Sequence, residues 1–216
     1  MQIELDHLFV CTSRGAPEGE SLVQFGLQEG TPNQHPGQGT ANRRFPLLNA
    51  MIELFWVDDP GEAQSQITRP TKLWERWSER DRGSCPFGIC VRPVEGAQDK
   101  APFPAWAYRP SYLSTPLAFH IGEAGLDEPM WIYMGFMQRS WREKHFLENP
   151  IGIREITGLT LTTPVPLRSI AAQTIIDNGV ISTKTGPAYL LEIEFDGGRG
   201  RQVKDFRPDL PLLFHF

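Results

Sequence analysis

Apolar residues along this chain come in short bursts separated by turns, and these bursts set the expected architecture more than any helical period does. Residues 3–10 and 51–57 are brief β-branched and aromatic runs bounded by turn residues, the pattern of strands. Each holds one metal-competent side chain among apolar neighbours, His7 in the first and Glu53 in the second. Such a group needs a partner, because burial without one costs roughly 2 kcal/mol or more. Between the two runs, residues 18–25 suit an amphipathic helix stopped at Gly26, residues 35–40 a Gly/Pro-rich loop, and residues 43–48 a third strand. The order is strand, helix, strand, strand.

Asp58-Asp59-Pro60-Gly61 is a strong turn, and a helix is expected over 71–80, with Trp74 and Trp77 packing from one face. A strand over 85–92 ends at Pro93, and polar residues 94–102 read as a surface loop. Residues 103–112 alternate aromatic and small side chains, with Trp106 and Tyr108 on one face. Strands follow at 117–121 and 130–136, and 138–149 is a helical or irregular connector. The last segment repeats the opening grammar: a strand at 155–161, a helix at 167–177 stopped by Asn178-Gly179, and strands at 180–185, 189–195, 202–206 and 212–216. Met51-Ile52-Glu53-Leu54-Phe55 matches Leu190-Leu191-Glu192-Ile193-Glu194, a weak internal repeat.

Composition narrows the class. At 216 residues the chain can bury one large core, and 19 prolines with 20 glycines favour many short strands. A net charge of −5 argues against nucleic acid as a partner, since displacing counterions needs a basic surface. No apolar run approaches the roughly 20 residues that span a membrane. Strand-like sequence starts within two residues of Met1, so no signal peptide is expected. Three cysteines, an odd number in apolar contexts, read as free thiols and small buried hydrophobes. A cytoplasmic protein is the expectation.

Leu5-Asp6-His7-Leu8-Phe9-Val10 and Ile52-Glu53-Leu54, in that order and spacing, resemble the opening half of the vicinal oxygen chelate superfamily, the fold of glyoxalase I, extradiol dioxygenases and bleomycin-resistance proteins. His35-Pro36-Gly37-Gln38-Gly39-Thr40-Ala41-Asn42 and Asn149-Pro150-Ile151-Gly152-Ile153-Arg154 resemble its glyoxalase-like domain branch. The resemblance covers 1–60 well, 85–136 loosely and 150–216 by pattern. It implies an α+β fold in which paired βαβββ units form a curved mixed sheet around a cavity. Residues 1–148 would be the glyoxalase-like domain, with unit one at 1–60 and a degenerate second unit at 85–136. Residues 149–216 would be a C-terminal repeat-like βαββ extension on the same body.

In the family, a divalent metal is held by the first and last strands of each unit, which would place His7 and Glu53 as ligands. Imidazole and carboxylate suit zinc, iron, manganese or nickel. If 85–136 is the second unit, its ligand positions hold Phe87 or Gly88 and Tyr133; if 155–216 is, they hold Gly158 and Glu192. Trp56, Trp106, Tyr108, Trp131 and Tyr133 suit a cavity for a flat or apolar ligand, with Arg43 and His35 as further contacts. Glu53 could alternatively pair with Arg43 or Arg44 across neighbouring strands.

Two functions follow from the resemblance. One is a metal-dependent lyase or dioxygenase, with His7 and Glu53 catalytic and one divalent ion polarising vicinal oxygens of a small substrate. The other is a metal-free protein that sequesters a small molecule, as bleomycin-resistance members do. The cavity would lie within one chain or across a homodimer.

Overall fold

The thirteen strands of the described residues, 2–96 and 98–216, divide between two sheets in this computed structural model. Of the loop expected over 94–102, residue 97 lies outside the described residues. The architecture is α+β, a curled sheet with few helices.

The large sheet contains β1 (Ile3–Cys11), β2 (Asn33–His35), β3 (Thr40–Pro46), β4 (Met51–Val57), β5 (Phe87–Pro93), β6 (Ala105–Tyr108), β7 (Phe119–Gly122) and β8 (Met130–Tyr133). Their order is β2-β3-β4-β1-β5-β8-β7-β6. β1 runs parallel to β4, and β5 runs parallel to β8. Antiparallel β1 and β5 join the halves at the centre. Residues 87–133, and not 155–216, therefore complete the sheet that 3–57 begin.

Local sequence explains most element ends. Helix α1 (Gly19–Phe25) buries Leu22 and stops at Gly26, whose φ of 107° suits glycine. Short helices α2 (Pro60–Ala63) and α3 (Leu73–Ser78) follow β4, the former capped by the Asp59 carboxylate. The strand expected over 103–112 shrinks to β6, because Pro104 and Pro110 flank it without N–H donors. The loop 35–40 is the turn of a hairpin, with His35 opposite Thr40. Helix α4 (Arg139–Lys144) lies in the connector.

The second sheet contains β9 (Ile156–Thr163), β10 (Ser182–Thr185), β11 (Leu190–Phe195), β12 (Val203–Asp205) and β13 (Leu212–His215), in the order β10-β9-β11-β13-β12. Helix α5 (Ile170–Asp177), capped by Ser169, makes the crossover between parallel β9 and β10. β11 is antiparallel to β9, whereas β4 is parallel to β1. The sequence repeat between their strands thus does not extend to pairing.

One core serves both sheets. Leu8, Val10, Ile52, Leu54, Ile89 and Val91 meet Leu161, Leu191, Ile193, Phe214 and, from α5, Ile175. Each such buried side chain contributes about 1.5–3 kcal/mol. The Glu128 carboxylate adds a polar tie, accepting from Trp131 Nε1 before β8's end and from Arg168 N, Ser169 N and Ser169 Oγ at the start of α5. The opposite face of the large sheet is concave and open.

A bulge on β1 decides what reaches that concave face. Leu5 pairs with Val91 and His7 with Cys90, so Asp6 is an extra residue. Ile3 before it and Leu8 and Val10 after it all reach the shared core, while His7 and Phe9 face the cavity.

Candidate functional site

The bulge places Asp6 beside its own neighbour. The Asp6 Oδ1 to His7 Nδ1 distance is 2.7 Å, with Arg142 Nη2 at 3.3 Å from the same nitrogen. Fully buried Asp6 also takes Arg92 Nη1 at 2.8 Å and a two-pronged contact from Arg142 on α4. Burial alone would raise the Asp6 carboxyl, but the His7 bond and the Arg142 charge outweigh it and hold it far below the usual carboxylate range. His7 moves the other way. Burial disfavours its charged ring, yet the Cys90 sulfur, the Glu53 carboxylate and Asp6 together hold it well above the ordinary histidine value.

Glu53 sits on β4, with Met51 and Phe55 on the same face. Its Oε2 accepts from Asn42 Nδ2 at 2.9 Å, and Asn42 is fully buried with Oδ1 unpartnered. The ion pair weighed from sequence does not form. Arg43 instead binds Glu29 at 2.8 and 2.6 Å, and Arg44 donates to the Thr31 carbonyl.

These groups open on a cavity of about 350 Å³. Asn33, His35, Gln38 and Arg44 add polar groups from the β2–β3 side. His35 is held by Thr40 Oγ1 at 2.9 Å and Asn33 at 3.1 Å, and burial lowers it toward the neutral ring. Its ring lies 4.9 Å from Tyr112, whose hydroxyl donates to Gln38 Oε1 at 3.0 Å. The other wall is apolar: Tyr108, Phe119, Ile121, Met130, Ile132 and Met134, with Leu73, Met137 and Trp141 at its margins. All of these lining residues belong to the one chain.

Of the residues singled out from sequence, His7, Glu53, His35 and Tyr108 line this cavity. The others do not. Arg43 faces α1, and Trp56 lies one step out of phase with Glu53 and packs on the shared core. Trp106 shares a face with Tyr108 but lies beyond the cavity end, 5.9 Å from the Tyr108 ring centre. Tyr133 points to the core side and donates to the Gln98 carbonyl at 2.8 Å. Glu192 belongs to the second sheet, where Lys184 Nζ at 2.8 Å and His215 at 3.1 Å engage it. Phe87 is core and Gly88 lies under the Phe9 ring, where an added Cβ would come within 1.9 Å of that ring. The cavity-facing positions of the second half are instead Cys90 and Ile132. Strict alternation along β8 and the residue after it (Met130, Ile132, then Met134) is the available signal for this wall.

A divalent metal would meet a poor donor set here. The His7–Asp6 bond is the kind of support that metal-binding imidazoles have. Beyond His7 and Glu53, Ile132 offers no donor, and the Cys90 thiol does not converge with the other two. Among the described residues no three His, Cys, Asp or Glu side chains converge as a metal group. Structural and catalytic metal sites take three or four protein ligands. The residues do not fit a resident metal.

No family model and no curated protein matches the chain. A solved structure titled as a hypothetical protein from Staphylococcus aureus aligns over 98% of both chains, with a TM-score of 0.52 and 10% identity. That likeness concerns the fold alone. No helix of the described residues is long and apolar enough to cross a membrane.

Proposed function

We propose that this chain is a glyoxalase-like member of the vicinal oxygen chelate superfamily whose cavity binds a small apolar or aromatic molecule without a metal. The mirrored strand order about β1 and β5 supports the paired-unit part, although the described residues between β5 and β6 form no helix. The carrying observation is the lining: nearly every cavity residue from the second half is apolar or aromatic, which favours burying an uncharged ligand. The His7–Glu53 side gives that ligand one polar anchor. From fold to ligand class the step is analogy.

The metal-dependent lyase or dioxygenase reading draws support from His7 and Glu53 sharing the cavity, and falls short in donors. One experiment separates the two. Purified protein is loaded with Zn²⁺, Mn²⁺, Fe²⁺ or Ni²⁺ and its metal content measured, while aromatic ketones and phenols are titrated by calorimetry. Binding of an aromatic compound without retained metal, weakened about tenfold by Phe119→Ala, is expected. Stoichiometric metal lost in Glu53→Ala would favour the enzyme and overturn the proposal.

A further inference from the structure

Cys90 is the one thiol that faces the cavity, and its cross-strand partner on β1 is His7. The imidazole's other nitrogen, Nδ1, is held by Asp6, which Arg92 and Arg142 fix in turn. The His7 ring is thus bonded to the Asp6 carboxylate and is the cross-strand neighbour of the Cys90 thiol on the cavity face, the kind of surroundings in which cysteines become nucleophilic. We propose that Cys90, His7 and Asp6 form a nucleophilic thiol site that adds to apolar α,β-unsaturated carbonyl compounds held in the cavity. The inference rests on the cavity being a small-molecule site and extends it to covalent chemistry.

The other cysteines show what is particular here. Burial pushes Cys11 and Cys85 up to about 12, and neither has an imidazole beside it. Burial raises Cys90 as well, but the His7 charge pulls against that rise. A thiolate formed at Cys90 would have an imidazolium as counterion, which offsets the cost of charge in a dry site. The ligand class follows from the lining. Charged reagents would lose their hydration against the Phe119–Ile132 wall, whereas a conjugated carbonyl is uncharged, soft toward sulfur and apolar at one end.

The step balances within the pair. The step starts from the Cys90 thiolate beside the protonated His7 ring. Sγ bonds to the β-carbon, the C=C electron pair shifts toward the carbonyl as an enolate, and the His7 imidazolium gives its proton to the α-carbon. The thiol has added across the double bond, with no oxidant or reductant consumed.

The test uses the full chain with phenyl vinyl ketone as probe, its saturated counterpart ethyl phenyl ketone as competitor, and peptide mass mapping of the three cysteines. Cys90 is expected to label roughly tenfold faster than Cys11 or Cys85. Cys90→Ser should abolish that label, and His7→Gln should slow it by roughly 100-fold. Ethyl phenyl ketone should protect Cys90 in the wild type, a readout that needs no variant to fold. Labelling of Cys90 no faster than the others, or unprotected, overturns the proposal. If ethyl phenyl ketone binds by calorimetry and the probe is not captured, the thiol site fails while the cavity stands; if neither occurs, both fail.

Discussion

The first half of the large sheet, β1 to β4, and the second half, β5 to β8, carry matching strand pairings and unlike linings. The first contributes His7, Glu53, Asn33, His35, Gln38 and Arg44 beside Phe9, Met51 and Phe55, whereas the second contributes Cys90 and otherwise aromatic and aliphatic groups. Pairing is a backbone matter, satisfied by any residues that tolerate extended φ and ψ. The lining depends only on every second side chain, and those positions are free to differ between halves. The result is a cavity with its polar groups gathered on one side, braced from behind by buried arginines, and a second side that is apolar but for the Cys90 thiol.

The largest effect should come from removing the brace on the polar side. Asp6→Ala leaves Arg142 buried without its counterion and Arg92 with Glu4 alone, and should lower unfolding free energy by about 3–5 kcal/mol in a denaturant titration. A loss below about 1 kcal/mol would mean that the arginines find other partners. Making the apolar side resemble the other comes next. Cys90→His with Ile132→Glu should cost roughly 2–3 kcal/mol without metal, by burying an unpaired carboxylate. Zinc should restore the thermal midpoint of that double variant and leave the wild-type midpoint unmoved.

The His7 environment predicts a smaller dependence on pH. Because the folded ring holds its proton more tightly than the ordinary 6.5, its contribution is fully present below that value and declines as pH rises through the raised folded value. Asp6, held low, has the opposite sign: its contribution persists above the ordinary carboxylate range and is lost only in strong acid. Stability of the wild type should therefore fall on the alkaline side more than that of His7→Gln, and equal slopes would refute the assignment. Smallest of all is Glu192→Gln in the second sheet. Its partner Lys184 is more than half exposed, so the change should stay within about 1 kcal/mol and leave ligand binding intact.

Much of the fold was legible because strands, turns and caps are local. The runs at 3–10 and 51–57, the stop at Gly26, the crossover helix before Asn178-Gly179 and the order of the later strands all lie where their residues placed them. The site was legible in part. His7 and Glu53 are polar interruptions of apolar runs, and such interruptions show in one dimension. Trp56 and Tyr133 misled because large aromatics suggest a pocket, while their phase relative to Glu53 and Ile132 put them on the core side. Glu192 misled because a matching tripeptide says nothing of which sheet its strand will join. Arg142 carried no local signal at all: it reaches Asp6 from 136 positions away in sequence.

The bulge at Asp6 acts through length: β1 offers one residue more than β5 does opposite it. Delete Asp6 and β1 regains an unbroken ladder with β5, the guanidinium groups lose their common anchor, and His7 loses the carboxylate that sets its tautomer. One residue more on β1 than on the strand beside it thus accounts for the phase shift, the buried charge cluster and the orientation of the ring together. Relatives that share this architecture and lack the extra residue would be expected to line the same hollow with different chemistry.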